Sequence, residues 1–144
     1  IFSAGSTDIF VLKLNSSGTF RGMITFGGTG GDTGIGITVD SSDNTYITGD
    51  FSSTVNFGGG DITSAGDYDI FVLKLNSSGT FQWVNTYGGT SDDLGIGITV
   101  DSSDNAYTTG YFQGTVNFGG GDITSAGSYD IFVLKLNSSG TGIE

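Results

Sequence analysis

A 61-residue repeat is the feature of this sequence that most constrains its fold. Residues 8–18 recur as residues 69–79 and again as residues 130–140, each time 61 positions further along the chain. Residues 8–68 align with residues 69–129 without a gap, and 47 of these 61 positions are identical. Such a period is typical of supersecondary units that bury their apolar faces against neighbouring copies. The 144 residues contain about two and a third units.

Each unit predicts four β-strands and no helix. We expect them at residues 81–87, 94–101, 106–112 and 129–136, where apolar or β-branched residues alternate with small and polar ones. Turns rich in Asn, Ser, Asp and Gly separate them. One long glycine-rich connection lies between the second and third strand of each unit. Over the whole chain this predicts nine strands.

The third strand of each unit predicts how the units pack. Residues 70–75 read Ile-Phe-Val-Leu-Lys-Leu, so both alternating faces of the strand are mainly apolar. A sheet with one face in water would alternate apolar and polar residues instead. Neighbouring blades of a β-propeller cover both faces of a four-stranded antiparallel sheet. We therefore predict an all-β array of propeller blades: residues 1–28 as the last two strands of a preceding blade, 29–89 as a complete blade, and 90–144 as an incomplete blade of three strands.

Long motifs in the repeat resemble a known family. Residues 87–110, YGGTSDDLGIGITVDSSDNAYTTG, followed by GTVNFGGG at 114–121 and DIFVLKL at 130–136, are similar to the bacterial SBBP-type β-propeller repeat. The resemblance covers essentially the whole chain. It implies a propeller from an exported or cell-surface prokaryotic protein, with no established catalytic residues to transfer. Asp43 and Asp104 depart from the family pattern, because many members have glycine there.

Composition excludes several classes of function. With 15 acidic and four basic residues the chain carries a formal charge of −11, which disfavours nucleic acids and anionic membranes. It has neither cysteine nor histidine, which excludes disulfides, Cys/His zinc sites, cysteine nucleophiles and histidine bases. Near-identical repeats also argue against an enzyme, because catalysis usually needs acids with different pKa values. We predict a non-catalytic extracellular or cell-surface scaffold, with a glycan-binding module as the alternative.

Two loops of sequence Asp-Ser-Ser-Asp-Asn, at residues 40–44 and 101–105, could supply oxygen ligands to calcium. The spacing differs from that of known calcium loops, and Asp or Asn in a hairpin turn usually caps its own backbone. Turn chemistry is the favoured interpretation. Calcium is the alternative, and no other cofactor is predicted. The residues concerned are Asp40, Asp43, Asn44, Asp101, Asp104 and Asn105.

Positions that differ between units cluster in the second and fourth strands. The fourth strand should form the outer blade edge, so its variation indicates exposure to solvent and relaxed constraint. The alternative is that Trp83 or Tyr111 forms a stacking platform for a sugar or a protein partner.

Nine strands cannot close a ring, because propellers need about four to eight blades. Either the chain is part of a longer array, or separate copies complete one another's blades. Open strand edges invite the addition of further strands. The predicted partners are therefore other blades or other copies of the same repeat, bound by strand pairing. A glycan or a surface protein is the alternative partner; nucleic-acid binding and membrane insertion are not expected.

Overall fold

The computed structural model describes residues 2–142, which form strands and turns only. No helix in this range could span a membrane. The strands, in chain order, are β1 (Ile9–Leu14), β2 (Phe20–Phe26), β3 (Asp32–Val39), β4 (Thr45–Phe51), β5 (Thr54–Asn56), β6 (Asp61–Thr63), β7 (Asp69–Leu75), β8 (Phe81–Tyr87), β9 (Leu94–Val100), β10 (Ala106–Phe112), β11 (Thr115–Asn117), β12 (Asp122–Thr124) and β13 (Asp130–Leu136).

Three antiparallel sheets follow one another along the chain. The second blade is a four-stranded sheet in the order β3-β4-β7-β8. The first blade consists of β1 and β2, which correspond to its third and fourth strands. The third blade has the order β9-β10-β13, its first three strands. The predicted all-β fold of repeated propeller-type blades is confirmed.

The glycine-rich connections contain a structure that the sequence analysis missed. β5 pairs with β6, and β11 pairs with β12, so each connection folds back as a small hairpin. The prediction of nine strands was therefore wrong, because residues 2–142 contain thirteen. Strands of three residues are too short to show alternation. Gly58 and Gly60 have φ values of 112° and 119°, which explains why glycine occupies the loop between β5 and β6.

An asparagine side chain fixes the turn between the third and fourth strands. The Asn76 Oδ1 atom accepts hydrogen bonds from the backbone amides of Ser78 at 3.0 Å and Thr80 at 2.8 Å. Gly79 completes the turn with a φ of 82°. The same pattern of bonds occurs at Asn15 and Asn137. These Asn-Ser-Ser-Gly turns set the register of each β-hairpin locally, before any contact between blades is needed.

The apolar cores lie between the blades. β7 is buried along all seven residues, as its apolar faces predicted. Phe71, Leu73 and Leu75 pack toward the first blade, whereas Ile70 and Val72 pack toward the third. Fully burying one such side chain stabilises the fold by about 1.5–3 kcal/mol. The first core also contains Ile9, Phe26, Ile47, Phe51, Val55 and Phe57, and the second contains Phe112, Val116, Phe132, Leu134 and Leu136.

The first strands of adjacent blades approach each other closely. A Cβ atom on Gly36 of β3 would lie 3.0 Å from the Ile96 carbonyl oxygen of β9. Glycine at this position therefore allows the two backbones to approach.

Candidate functional site

The Asp40 carboxylate is occupied by its own turn. Its Oδ1 atom accepts the backbone amides of Ser42 and Asn44, both at 2.9 Å, and its Oδ2 atom accepts the Asn44 Nδ2 at 2.8 Å. The Lys74 ammonium lies 3.9 Å away. Burial acts to raise the pKa of Asp40, but these hydrogen bonds and the Lys74 charge outweigh it and the pKa is lowered.

The Asp101 carboxylate repeats the same arrangement in the third blade. It accepts the backbone amides of Ser103 and Asn105 at 2.9 Å, together with the Asn105 side-chain amide. Hydrogen bonds from Asn105, chiefly from its side chain, lower the Asp101 pKa to about 2. Asp43 and Asp104 have positive φ values of 62° and 60°, the conformation in which glycine was expected.

These hydrogen bonds show that Asp40 and Asp101 cap the backbone amides of their own turns. Within residues 2–142, no group of three or more Asp, Glu, His or Cys side chains is arranged to hold a metal. A calcium ion at residues 40–44 or 101–105 would have to displace amide donors that already bind the same oxygens. Calcium at these turns stays a prediction.

Trp83 lies between two blades and not on an open platform. Its indole Nε1 donates to the Ser138 carbonyl at 3.1 Å, and its ring meets Tyr46 edge-on at 6.0 Å. It also packs against the core between the second and third blades. The fourth strand was expected to be exposed to solvent; β8 is mostly half-buried, whereas the equivalent β2 of the first blade has more exposed positions. The Trp83 side chain is fixed by the turn of the third blade that contains Ser138.

Tyr111 lies far from Trp83. Its ring packs edge-on against Tyr129 at 5.0 Å, near the end of β10 that pairs with the start of β13. Trp83 contacts the turn that follows the other end of β13. At about 3.3 Å per residue, the two aromatic side chains are on the order of 20 Å apart. The structure therefore does not bring these two predicted ligand-binding residues together.

Asp50 is a buried carboxylate that the sequence analysis did not single out. It lies on β4 and is 5% exposed, and the equivalent residue of the third blade is Tyr111. Burial raises its pKa to about 6; a hydrogen bond from Thr33 acts in the opposite direction. No sequence motif marks Asp50, because its burial arises only in the folded structure.

The outer faces of the first and third blades carry exposed apolar side chains that the sequence analysis also missed. We define the N-terminal face as Phe10, Leu12 and Leu14 of β1, and the C-terminal face as Ile131 and Val133 of β13. Ile131 is 81% exposed, Val133 75% and Phe10 66%. Their equivalents in β7 are fully buried. The alternation of the third strand could have assigned each residue to its face.

The two faces are complementary by repeat equivalence. Inside the chain, Ile9 and Val11 of the first blade pack against Phe71, Leu73 and Leu75 of the second. Ile131 and Val133 of the C-terminal face are the repeat equivalents of Ile9 and Val11. The three residues of the N-terminal face are the repeat equivalents of Phe71, Leu73 and Leu75.

Comparison with known proteins supports the repeat architecture. The chain is 28% identical over 162 aligned positions to an uncharacterized WD repeat-containing protein, L264, of Acanthamoeba polyphaga mimivirus. The alignment covers 97% of this chain but only 12% of that relative. No protein-family model matches the chain, so the resemblance to the SBBP-type repeat stays a prediction.

The repeat differs from a WD repeat in length and signature. WD repeats span about 40–45 residues and form four-stranded propeller blades. The present repeat has 61 residues and contains no Trp-Asp pair. Part of the additional length is the small hairpin that follows the second strand, such as β5–β6. Its residues Val55 and Phe57 are buried between blades, so this insertion belongs to the core.

Proposed function

We propose that this chain is a non-catalytic, extracellular or cell-surface propeller scaffold that binds other repeats through its end faces. The observation that carries the proposal is the exposure of Phe10, Ile131 and Val133, whose equivalents inside the array are buried. Apolar faces of this kind are stable when a neighbouring repeat covers them. The similarity to a WD repeat-containing protein agrees with a role in interaction.

Two further observations support a non-catalytic role. The chain has no histidine or cysteine to act as base or nucleophile. Its turn carboxylates accept backbone amides of their own loops, which leaves their oxygens engaged. Extracellular location is supported by the resemblance to an exported repeat family. The glycan-binding alternative has less support, because Trp83 is engaged between blades and lies far from Tyr111.

Sedimentation velocity at increasing protein concentration tests the proposal. We expect the chain to associate, and we expect Leu12→Glu to abolish association, because a carboxylate on the N-terminal face would be buried without a partner. Ser102→Glu is the matched control, since it adds the same charge in an exposed turn of the third blade. A chain that stays monomeric up to millimolar concentration would contradict the proposal, as would equal loss of association in both variants.

A further inference from the structure

A polar cleft of about 600 Å³ lies where the second blade meets the third. Its walls come from residues 52–53, 63–68 and 92, and we call it the junction cleft. Asp67 belongs to the connection between β6 and β7, and Asp92 to the connection between β8 and β9. The two aspartates are 25 positions apart in the sequence, yet they line one cavity.

Hydrogen bonds between the connections hold the walls of the junction cleft in place. The Ser53 amide donates to the Ser64 Oγ at 3.0 Å, and the Ser64 amide donates to the Ser53 carbonyl, also at 3.0 Å. The amide of Asp93, a fully buried residue, donates to the Tyr68 carbonyl at 2.8 Å. This bond ties the start of the third blade to the second, and it holds the preceding residue, Asp92, at the cleft.

The two carboxylates of the cleft are unoccupied, whereas two of its hydroxyls are not. The hydroxyls of Ser52 and Ser64 each donate to a backbone carbonyl, at 3.1 Å and 3.0 Å. Among the described residues, no hydrogen bond or ion pair involves the side chain of Asp67 or of Asp92. Ionised carboxylates only accept hydrogen bonds, so the ligand that suits them is a donor.

The charge around the junction cleft favours a cation. Within residues 2–142, none of the four basic residues lines it. Besides burial, the negative charges of Asp32 and Asp92 raise the pKa of Asp50, so a further carboxyl group lies within their field. The ring of Tyr68, 36% exposed, forms part of the wall, and an aromatic face attracts a cation. Calcium fits less well, because it takes about six to eight oxygen ligands.

The residues of the cleft vary between repeats more than the rest of the unit does. Half of the eight residues that line it stand at positions that differ between the repeats, namely Ser52, Ser53, Asp67 and Asp92. Over the whole unit, fewer than a quarter of the 61 positions differ. Ser128 and Gly31 occupy the positions equivalent to Asp67 and Asp92. Blade packing therefore does not require these two carboxylates, and the acidic pair is particular to this junction.

We propose that the junction cleft binds a basic side chain, arginine or lysine, of a protein partner, with Asp67 and Asp92 as the paired acceptors. This inference goes beyond the proposed function, because the cleft includes neither end face. Guanidinium and ammonium groups donate several hydrogen bonds and accept none. Their bonds to carboxylates are about twice as strong as those between neutral groups. The formal charge of −11 also steers a basic partner toward the chain.

An NMR titration with short peptides tests the proposal. The first probe is a capped Gly-Arg-Gly peptide, and its control carries citrulline, which has the shape of arginine without its charge. We expect the arginine peptide to shift the backbone amide signals of residues 52–53, 63–68 and 92 in a saturable manner. The citrulline peptide should leave these signals in place. A capped Gly-Lys-Gly peptide shows whether an ammonium group serves as well as a guanidinium group.

Variants taken from the repeat itself test the two carboxylates. Asp67→Ser and Asp92→Gly introduce the residues that other repeats have at these positions, so both variants should fold as the unaltered chain does. Each should weaken binding of the arginine peptide about tenfold, because a hydrogen bond to a charged group is lost. Asp122→Asn removes one negative charge at an exposed position of the third blade, and it should leave the affinity unchanged.

The remaining outcomes would overturn the proposal. Equal binding of the arginine and citrulline peptides would show that charge is not recognised, and equal weakening by Asp122→Asn would show that the cleft is not the site. Absence of shifts with both basic peptides would also exclude it. Maltotriose is the test for a sugar: if it alone shifts the cleft signals, the site binds a glycan instead.

Leu12→Glu keeps this proposal separate from the proposed function. The substitution lies on the N-terminal face and not in the junction cleft. It should abolish association and leave binding of the arginine peptide intact. Association without peptide binding would therefore overturn the inference alone, and peptide binding without association would contradict the proposed function alone.

Discussion

β7 and β13 have the same seven residues, Asp-Ile-Phe-Val-Leu-Lys-Leu, and differ only in what lies beside them. All of β7 is buried because a blade covers each face. β13 has a covered face with Phe132 and Leu134, and an open face with Ile131 and Val133. Burial in this fold is therefore a property of the neighbouring repeat as much as of the strand, as expected for a quasi-one-dimensional array.

The first strands show the same dependence. Ile37 of β3 and Ile98 of β9 occupy the same position of the repeat, yet Ile37 is exposed and Ile98 is half-buried. Ile98 packs on the core between the second and third blades. Ile37 faces the side where the first blade has only β1 and β2. Two residues with one identity thus make different contributions to stability.

The largest expected effect comes from two phenylalanines at the same repeat position. Phe71→Ala should lower the free energy of unfolding by about 3–5 kcal/mol, because a fully buried ring is replaced by a cavity. Phe10→Ala should change it by less than about 0.5 kcal/mol in dilute, monomeric protein, because Phe10 is largely exposed. Urea unfolding monitored by circular dichroism measures both. Equal losses would show that the first blade is covered in solution as the second one is.

The features of the fold that depend on residues close together in the sequence could be predicted from the sequence alone. The two apolar faces of residues 70–75 required cover on both sides, which is what β7 has. The Asp40 and Asp101 loops were expected chiefly as turns, because the chemistry of an Asp or Asn cap involves only nearby amides. The small hairpins were missed, since strands of three residues carry no periodic signal.

Other parts of the site depend on contacts between repeats and were therefore not predictable from one unit. Trp83 was assigned to an exposed edge, but Ser138 of the next blade binds its indole. Asp50 was not distinguished from other variable positions, although packing buries it. The exposure of the N-terminal and C-terminal faces could not be predicted without knowing which side of each sheet has a neighbouring blade. For Trp83 the deciding contact, with Ser138, is 55 positions away along the chain.

Asp50 of the second blade and Tyr111 of the third blade occupy the same position of the repeat, so Asp50 gives a second comparison between blades. Burial raises the pKa of Asp50 to about 6, above the ordinary value of 3.8. Folding then favours the protonated form, so stability is lost as the pH rises from about 4 to about 6. Asp50→Asn should remove this loss and raise the free energy of unfolding at pH 7 by about 2–3 kcal/mol.

The pH dependence of that difference is the decisive measurement. Below pH 4 the variant and the unaltered chain should be equally stable, and the gain should reach its full value above pH 6. Asp61→Asn, at an exposed position on β6, is the control and should show no such gain. A difference that is independent of pH would mean that Asp50 acts through packing and not through its charge.

The smallest expected effect compares the turn carboxylates Asp40 and Asp101. Asp40→Ala should lower the free energy of unfolding by about 1–2 kcal/mol, because two backbone amides lose their acceptor in a partly buried turn. Asp101→Ala should cost less, since its amides lie in a more exposed turn and can be solvated by water. Thermal melts with EDTA and with added calcium complete the test. If the carboxylates serve only as caps, neither EDTA nor calcium shifts the melting temperature. A rise with calcium that disappears in Asp101→Ala would instead establish a metal site in the 101–105 loop. A rise that also disappears in Asp40→Ala would establish a second metal site in the 40–44 loop.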